Sequence, residues 1–186
     1  MPKASKYLKG QLLLDGGNLK GSFFHRTVVL ICQHDEQGAF GLVLNRPSEN
    51  RVKDVIESTL PDSLQGLPLF VGGPVQANAL SFLHTDIFVP HANVLPNLNL
   101  GHSLEGLVEL GESYSTTQKL RIFAGYAGWE AGQLEGEMER EAWLTYPASL
   151  ELIFNIPPAQ LWRHILRQMG WQERLLSESP DDLSWN

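Results

Sequence analysis

The sequence predicts an α+β fold in one domain, and three stretches carry that reading. Thr27 to Gln33, TVVLICQ, is a continuous β-branched and apolar run, the pattern of a central strand buried on both faces. A short polar loop ending in glycine, His34 to Gly38, joins it to a return strand, Ala39 to Asn45, so the pair reads as a hairpin. Ala159 to Met169 sets Leu161, Ile165 and Met169 at i, i+4 and i+8, and Trp162 and Leu166 widen the stripe into the apolar face of a helix. Between them, Arg121 to Glu137 (RIFAGYAGWEAGQLEGE) reads as a strand, then a turn with two glycines flanking Tyr126, then a helix start.

The remaining elements follow in order. Gly10 to Asp15 is a first strand, ended by the turn cluster Asp15-Gly16-Gly17-Asn18. Val52, Val55 and Ile56 have helical spacing, which predicts a short helix over Arg51 to Thr59. Leu69 to Val71 is a short strand entering Gly72-Gly73-Pro74-Val75, and Leu80 to Leu83 is another that ends at His84. Phe88 to Asn99 is rich in proline and asparagine and reads as an irregular connection. Ser103 is a cap for a helix whose face is Leu104, Leu107, Val108 and Gly111. Gly132 is an N-cap for the helix that continues to Ala142, with Glu135 placed to reach back to the free amides. Trp143 to Tyr146 is a strand, and Ser149 to Phe154 fits a helical turn or a strand equally. Pro157-Pro158 opens the last helix and Gly170 stops it. The organisation expected is a basic arm over 1–9, one domain over 10–171, and a loose acidic tail over 172–186 in which Trp185 can dock.

Composition bounds the function. With 42% hydrophobic and 19% charged residues, the chain of 186 residues is globular and long enough to bury a core without staples. Its one cysteine, Cys32, excludes an intrachain disulfide and fits a reducing compartment. No apolar run reaches the ~20 residues that span a bilayer, and MPKASKYLKG lacks the apolar core of a signal peptide, so a cytoplasmic location without membrane association is expected. Residues 1–26 hold five cations against Asp15, a balance of +4, which leaves −11 for the remainder of a chain whose net charge is −7. That acidic body argues against a DNA-reading surface.

The chemistry-bearing residues mostly have a structural alternative. Cys32 lies in an apolar strand, where a thiol is buried and inert. The six histidines form no metal signature, although His34 and His84 both follow strands and could converge with Asp35 or Asp86. Gly72-Gly73-Pro74 lacks the Lys-Ser/Thr of a phosphate loop, and Gly125, Gly128 and Gly132 do not form the dinucleotide fingerprint, so no cofactor is expected. Glu135, Glu137, Glu139 and Glu141 at the helix would repel a phosphate; Glu137 or Glu135 is instead a general base or, the favoured reading, a cap or part of a solvated face. Tyr126 and Trp129 line a pocket or plug the sheet end, the second being favoured. Asn45-Arg46 ends the hairpin, with the arginine gripping a ligand carboxylate or, the favoured reading, pairing with Glu135 or Glu137 of the central helix.

In combination, His34 with GAFGLVLNRP (Gly38 to Pro47), Gly72-Gly73-Pro74-Val75, Leu83-His84, GYAGWEAGQLEGE (Gly125 to Glu137), Ala142-Trp143 and Leu161-Trp162 resemble the YqgE/AlgH family of bacterial proteins, over roughly Leu8 to Trp171. The resemblance implies a compact α+β domain with a bent, partly barrel-like, mixed or antiparallel sheet flanked by helices. It implies a bacterial cytoplasmic protein, and the family name carries an association with regulation of alginate synthesis, hence with transcriptional regulation, but no established activity. The family often has Asp-Pro-x-Phe-x-Arg before its long strand; Gly21-Ser22 replace Asp-Pro here while Phe24 and Arg26 match, so no role of that aspartate carries over.

Two functions follow from different classes. One is a non-enzymatic binding or regulatory domain for an unknown protein partner or small ligand. The other is a hydrolase- or isomerase-like enzyme using histidine and carboxylate at the turn. The candidate site for either is Asn45, Arg46, Gly72, Gly73, Pro74, His84, Gly125, Tyr126, Gly128, Trp129, Gly132, Gln133 and Glu137, with no catalytic residue or metal ligand assigned. The charge distribution generates a first prediction. Fluorescence anisotropy with duplex DNA at ~0.15 M salt is expected to show weak binding without sequence preference; base-specific binding tighter than about 10⁻⁸ M contradicts it.

Overall fold

The computed structural model describes residues 6–57, 59–86, 92–115 and 117–180. Its strands are β1 (Gln11–Asp15), β2 (Val28–Asp35), β3 (Gly38–Val43), β4 (Pro47–Arg51), β5 (Pro68–Val71), β6 (Val75–His84), β7 (Ala92–Leu95), β8 (Leu98–Gly101), β9 (Leu120–Glu130) and β10 (Trp143–Pro147). They form one curled, largely antiparallel sheet in the order β10-β1-β2-β3-β9-β6-β8-β7, with β4 paired to β5 and β5 paired in parallel to β9. Together with the helices that flank it, this is a single compact α+β domain with a half-barrel sheet.

Strand β9 is its spine. One of its edges pairs with β6 along most of its length, Leu120 with His84 through Tyr126 with Val75. The other edge changes partner midway. Ile122 to Ala124 pair with β5, and Ala127 to Glu130 pair with β3. The change falls at Gly125, whose φ of +73° is open to glycine and strained for other residues. The Gly72 amide donates to the Ala124 carbonyl (2.9 Å), and the Gly72 carbonyl accepts from the Val43 amide (2.8 Å), so Gly72 ties β9 to β3. A Cβ on Gly72 would lie 2.3 Å from the Gly125 carbonyl oxygen, and one on Gly73 would lie 2.0 Å from the Tyr126 carbonyl carbon. Backbone therefore packs on backbone where the sheet bends.

This corrects the turn expected at Ala124 to Trp129. Gly125 kinks the strand without ending it, because neighbouring strands satisfy its amides on both sides of the kink, and β9 runs on to Glu130. The turn proper is Ala131-Gly132, where Gly132 has φ +76° and opens α4 (Gln133–Glu139).

Among the described residues there are six further helices. One is α1 (Val52–Val55), a single turn rather than the Arg51–Thr59 helix expected; Ile56 is already extended and only Val52 is buried. It is followed by α2 (Asp62–Gln65) and by α3 (Leu104–Glu112), capped by Ser103 as expected, its Oγ accepting from the Gly106 amide at 3.0 Å. The ambiguous Ser149–Phe154 segment is helical, α5 (Leu150–Phe154), because Ser149 caps it. Then come α6 (Pro158–Gln168) and α7 (Trp171–Ser177). Part of the supposed tail is thus α7, held by Arg163 Nε to the Ser177 carbonyl (3.1 Å) and Arg167 to Glu178 (2.8 Å); Trp185 lies outside the described residues. The irregular connection over 88–99 also differs: β7 and β8 form a hairpin at Pro96-Asn97, where Asn97 takes φ +62°, and residues 87–91 lie outside the described residues.

The core confirms the two-faced strand. Leu12, Leu14, Leu30, Cys32 and Leu42 face one way, onto Leu152, Ile153, Leu161, Trp162 and Ile165 of α5 and α6. Leu13, Val29, Ile31 and Val43 face the other, with Trp129, Leu134 and Trp143. Each fully buried large apolar side chain contributes about 1.5–3 kcal/mol, so α6 is fixed by its four buried residues, Leu161, Trp162, Ile165 and Leu166. The backbone contact at the bend generates a prediction. Gly73→Ala should cost about 3 kcal/mol by urea denaturation, while Gly66→Ala, where a Cβ meets nothing within 4 Å, should change stability by under about 0.5 kcal/mol.

Candidate functional site

The end of β9 and the start of α4 enclose a polar knot in an aromatic shell. Trp129 and Trp143 are buried, and Phe24 packs on both. Their indole N–H groups converge on one atom: Glu137 Oε2 accepts from Trp129 Nε1 at 2.9 Å and from Trp143 Nε1 at 2.8 Å. Glu137 Oε1 accepts from the Gln133 amide at 3.2 Å, and Gln133 Oε1 in turn accepts from the Glu130 backbone amide at 3.0 Å. Gln133 therefore secures the entry to the helix, the task expected of Glu135. Glu135 turns away to His34, 3.3 Å from its Nε2. The Leu8 amide donates to His34 Nδ1 at 2.9 Å, which leaves the ring proton on Nε2, facing Glu135.

The hairpin end is a separate place. Asn45 completes the sheet with its side chain: Oδ1 accepts from the Val28 amide and Nδ2 donates to the Arg26 carbonyl, both at 2.9 Å. Arg46 donates to the carbonyls of His25 and Asn45. The expected pairing of Arg46 with Glu135 or Glu137 does not form, because Arg46 leaves β3 at the end opposite to the loop that meets α4. Gly72, Gly73 and Pro74 do meet Gly125 and Tyr126, as backbone packed on backbone, and Tyr126 stacks on Phe40 with centroids 4.9 Å apart. Gly128 is exposed beside Tyr126. His84 is buried at the far end of β6, opposite Leu120, so nine residues of β9, roughly 30 Å of strand, separate it from Trp129. Cys32 is buried as expected, and burial pushes its thiol pKa up. Among the described residues, no three histidine, cysteine or acidic side chains converge as a metal site requires.

Two clefts flank the ridge made by Asn45, Arg46 and Pro47. One, about 320 Å³, gathers His25, Arg26, Arg46 and Arg163 beside the start of α6. Burial lowers the pKa of Arg46; at Arg26 burial and then the Arg163 charge lower it, against Asp15. The other cleft, about 530 Å³, has Arg121 in its floor beside Phe70, Phe154, Pro47 and Pro158. Arg121 is 9% exposed, its guanidinium lies 4.4 Å from the Phe70 centroid, and burial lowers its pKa to about 10, so it remains a cation at neutral pH. The sequence reading passed over Arg121 as a strand residue; the signal was a full charge at the head of the apolar run Ile122-Phe123-Ala124.

A single α+β domain with a curled half-barrel sheet is the class of protein that this fold defines. The AlgH-like family matches residues 12–174, and the chain belongs to that family. A UPF0301 protein of Chlorobium luteolum is 38% identical over 178 residues, covering 92% of this chain and 91% of that one. The solution structure of AlgH from Pseudomonas aeruginosa superposes with a TM-score of 0.77 at 31% identity, over 98% of this chain and 99% of that one. The crystal structure of DIP2367 from Corynebacterium diphtheriae gives 0.75 at 26% identity, over 92% of each chain.

The shared acceptor generates a prediction. Glu137→Ala leaves two buried indole donors without their acceptor, at about 1–3 kcal/mol each. Glu137→Gln, which keeps an amide oxygen, should lose less. Denaturant unfolding followed by tryptophan fluorescence reads both, and equal stability of Glu137→Ala and the parent contradicts the anchor.

Proposed function

We propose that this protein is a non-enzymatic binding or regulatory domain, cytoplasmic, that acts through a small ligand or a protein partner. The observation that carries the reading is Glu137. The carboxylate best placed to act as a base at the motif-rich turn accepts from Trp129, Trp143 and Gln133 and so anchors α4 to the sheet. Of the roughly four lone-pair positions of a carboxylate, three accept from groups that hold the helix and the sheet in place, so the work Glu137 is seen to do is structural. The association of the family name with regulation fits a domain that presents clefts on a sheet. In support, both clefts lie at the hairpin end, away from the knot.

One observation favours the enzyme reading: His34 and Glu135 form a histidine–carboxylate pair beside α4. The two readings separate in one experiment. Protein incubated with a small-molecule extract of bacterial cells is analysed by native mass spectrometry for retained compounds and by NMR for consumed ones. A retained compound, chemically unchanged, is expected. Consumption that His34→Asn and Glu135→Gln abolish in folded protein would establish the enzyme instead.

A further inference from the structure

Arg121 is a buried cation whose surroundings lack the group that normally accompanies one. A guanidinium has five N–H donors in a planar fork. Here Nη1 donates to the Leu44 carbonyl at 3.2 Å, and among the described residues no other protein acceptor meets the guanidinium and no carboxylate pairs with its charge, so its remaining N–H groups face the cleft. What it does have is two aromatic rings, Phe70 at 4.4 Å and Phe154 at 6.0 Å from their centroids. Ring faces attract the cation but leave the fork's edge open. A largely buried charge without a counter-ion is costly to hold, and such cost concentrates where a ligand later offsets it.

The cleft above Arg121 supplies the other half of the argument. Its volume, about 530 Å³, is within the range of small-molecule sites. Its walls are mostly apolar, with Phe70, Phe154, Pro47 and Pro158 beside the polar Tyr114 and Gln118, and exposed Lys119 adds a second positive charge. An inorganic anion would satisfy the charge and leave the walls wet; a neutral apolar molecule would fill the walls and strand the charge.

We infer that this cleft binds a small amphipathic carboxylic acid, its carboxylate forked on Arg121 and its apolar body lying along Phe70, Phe154 and the two prolines. The inference rests on the reading of the chain as a binding domain and names the chemistry of its ligand. Lys119 draws the acid in, and Phe70, 4.4 Å from the guanidinium, supports it while its open edge meets both carboxylate oxygens.

The test uses octanoate and 3-phenylpropionate against their uncharged counterparts, octanamide and 3-phenylpropanamide, by isothermal titration and thermal shift on the full chain at neutral pH. Both acids are expected to bind and to raise Tm, and the amides to bind at least tenfold more weakly. Arg121→Met should weaken the acids at least tenfold while its own Tm equals or exceeds the parent's, since an apolar side chain replaces an uncompensated charge; a structural arginine would lower Tm instead. In wild-type protein, amide NMR shifts on adding octanoate should map to residues 70, 119–122 and 154, which tests the site even if the variant fails to fold. Acids binding no better than amides, unchanged affinity in Arg121→Met, or shifts that spare these residues would overturn the inference. Failure of the acids together with retention of some other unmodified compound removes this site but keeps the binding domain. Arg121-dependent turnover of an acid keeps the site and removes the non-enzymatic reading.

Discussion

The contact on which the rest of the structure depends is the approach of Gly72 and Gly73 to the backbone of β9 at Gly125 to Ala127. It lets one strand exchange a parallel neighbour for an antiparallel one without losing hydrogen bonds. Val43, Gly72 and Ala124 carry the ladder across the seam. Without side chains at those positions the two halves of the sheet close to backbone distance, and the sheet curls into a half-barrel there. The bend in turn puts Trp129 over one face and Phe70 and Phe123 over the other. Any bulk at the seam would push these layers apart together.

The motif residues divide by role along this frame. Those of the GYAGW and GQLE segments hold the bend and its helix: Gly125 turns the backbone, Trp129 covers the face, Gln133 closes the helix entry, and Glu137 ties two indoles. Those of the NRP segment mark the sheet's other end. Asn45 extends the ladder with a side chain, Arg46 fastens the preceding loop, and Pro47 starts β4 between two clefts. The molecule thus keeps its carboxylate–indole cluster at one end, and Arg46 and Arg121 beside clefts at the other.

Much of this was legible in the residues. The β2–β3 hairpin, the caps at Ser103 and Gly132 and the apolar stripe of α6 each depend on local pattern, and local pattern survives folding. What could not be read depends on partners remote in sequence. Gly125 looks like a turn unless β5 and β3 are known to share its edge. The choice of Gln133 over Glu135 as the helix tether depends on His34 standing opposite. The pairing assigned to Arg46 failed because a side chain's reach says nothing about which end of a strand it leaves. The exposed-looking segments, β7–β8 and α7, were underread because proline, asparagine and acidic content lower local propensity while Val94, Leu98 and Leu176 supply tertiary packing.

The order of strands in the sheet has a consequence for how the chain comes to exist. The inner strands β1 and β3 are made early, but their outer neighbours, β10 and β9, are about 130 and about 90 residues further along. At synthesis rates on the order of 5–20 residues per second, the hairpin waits for several seconds with both flanks unpaired. Those flanks are apolar on two faces, the kind of edge that recruits other chains. High contact order also slows the final closure. Until Glu130, and then Pro147, have left the ribosome, those edges have no partner strand of their own chain to cover them.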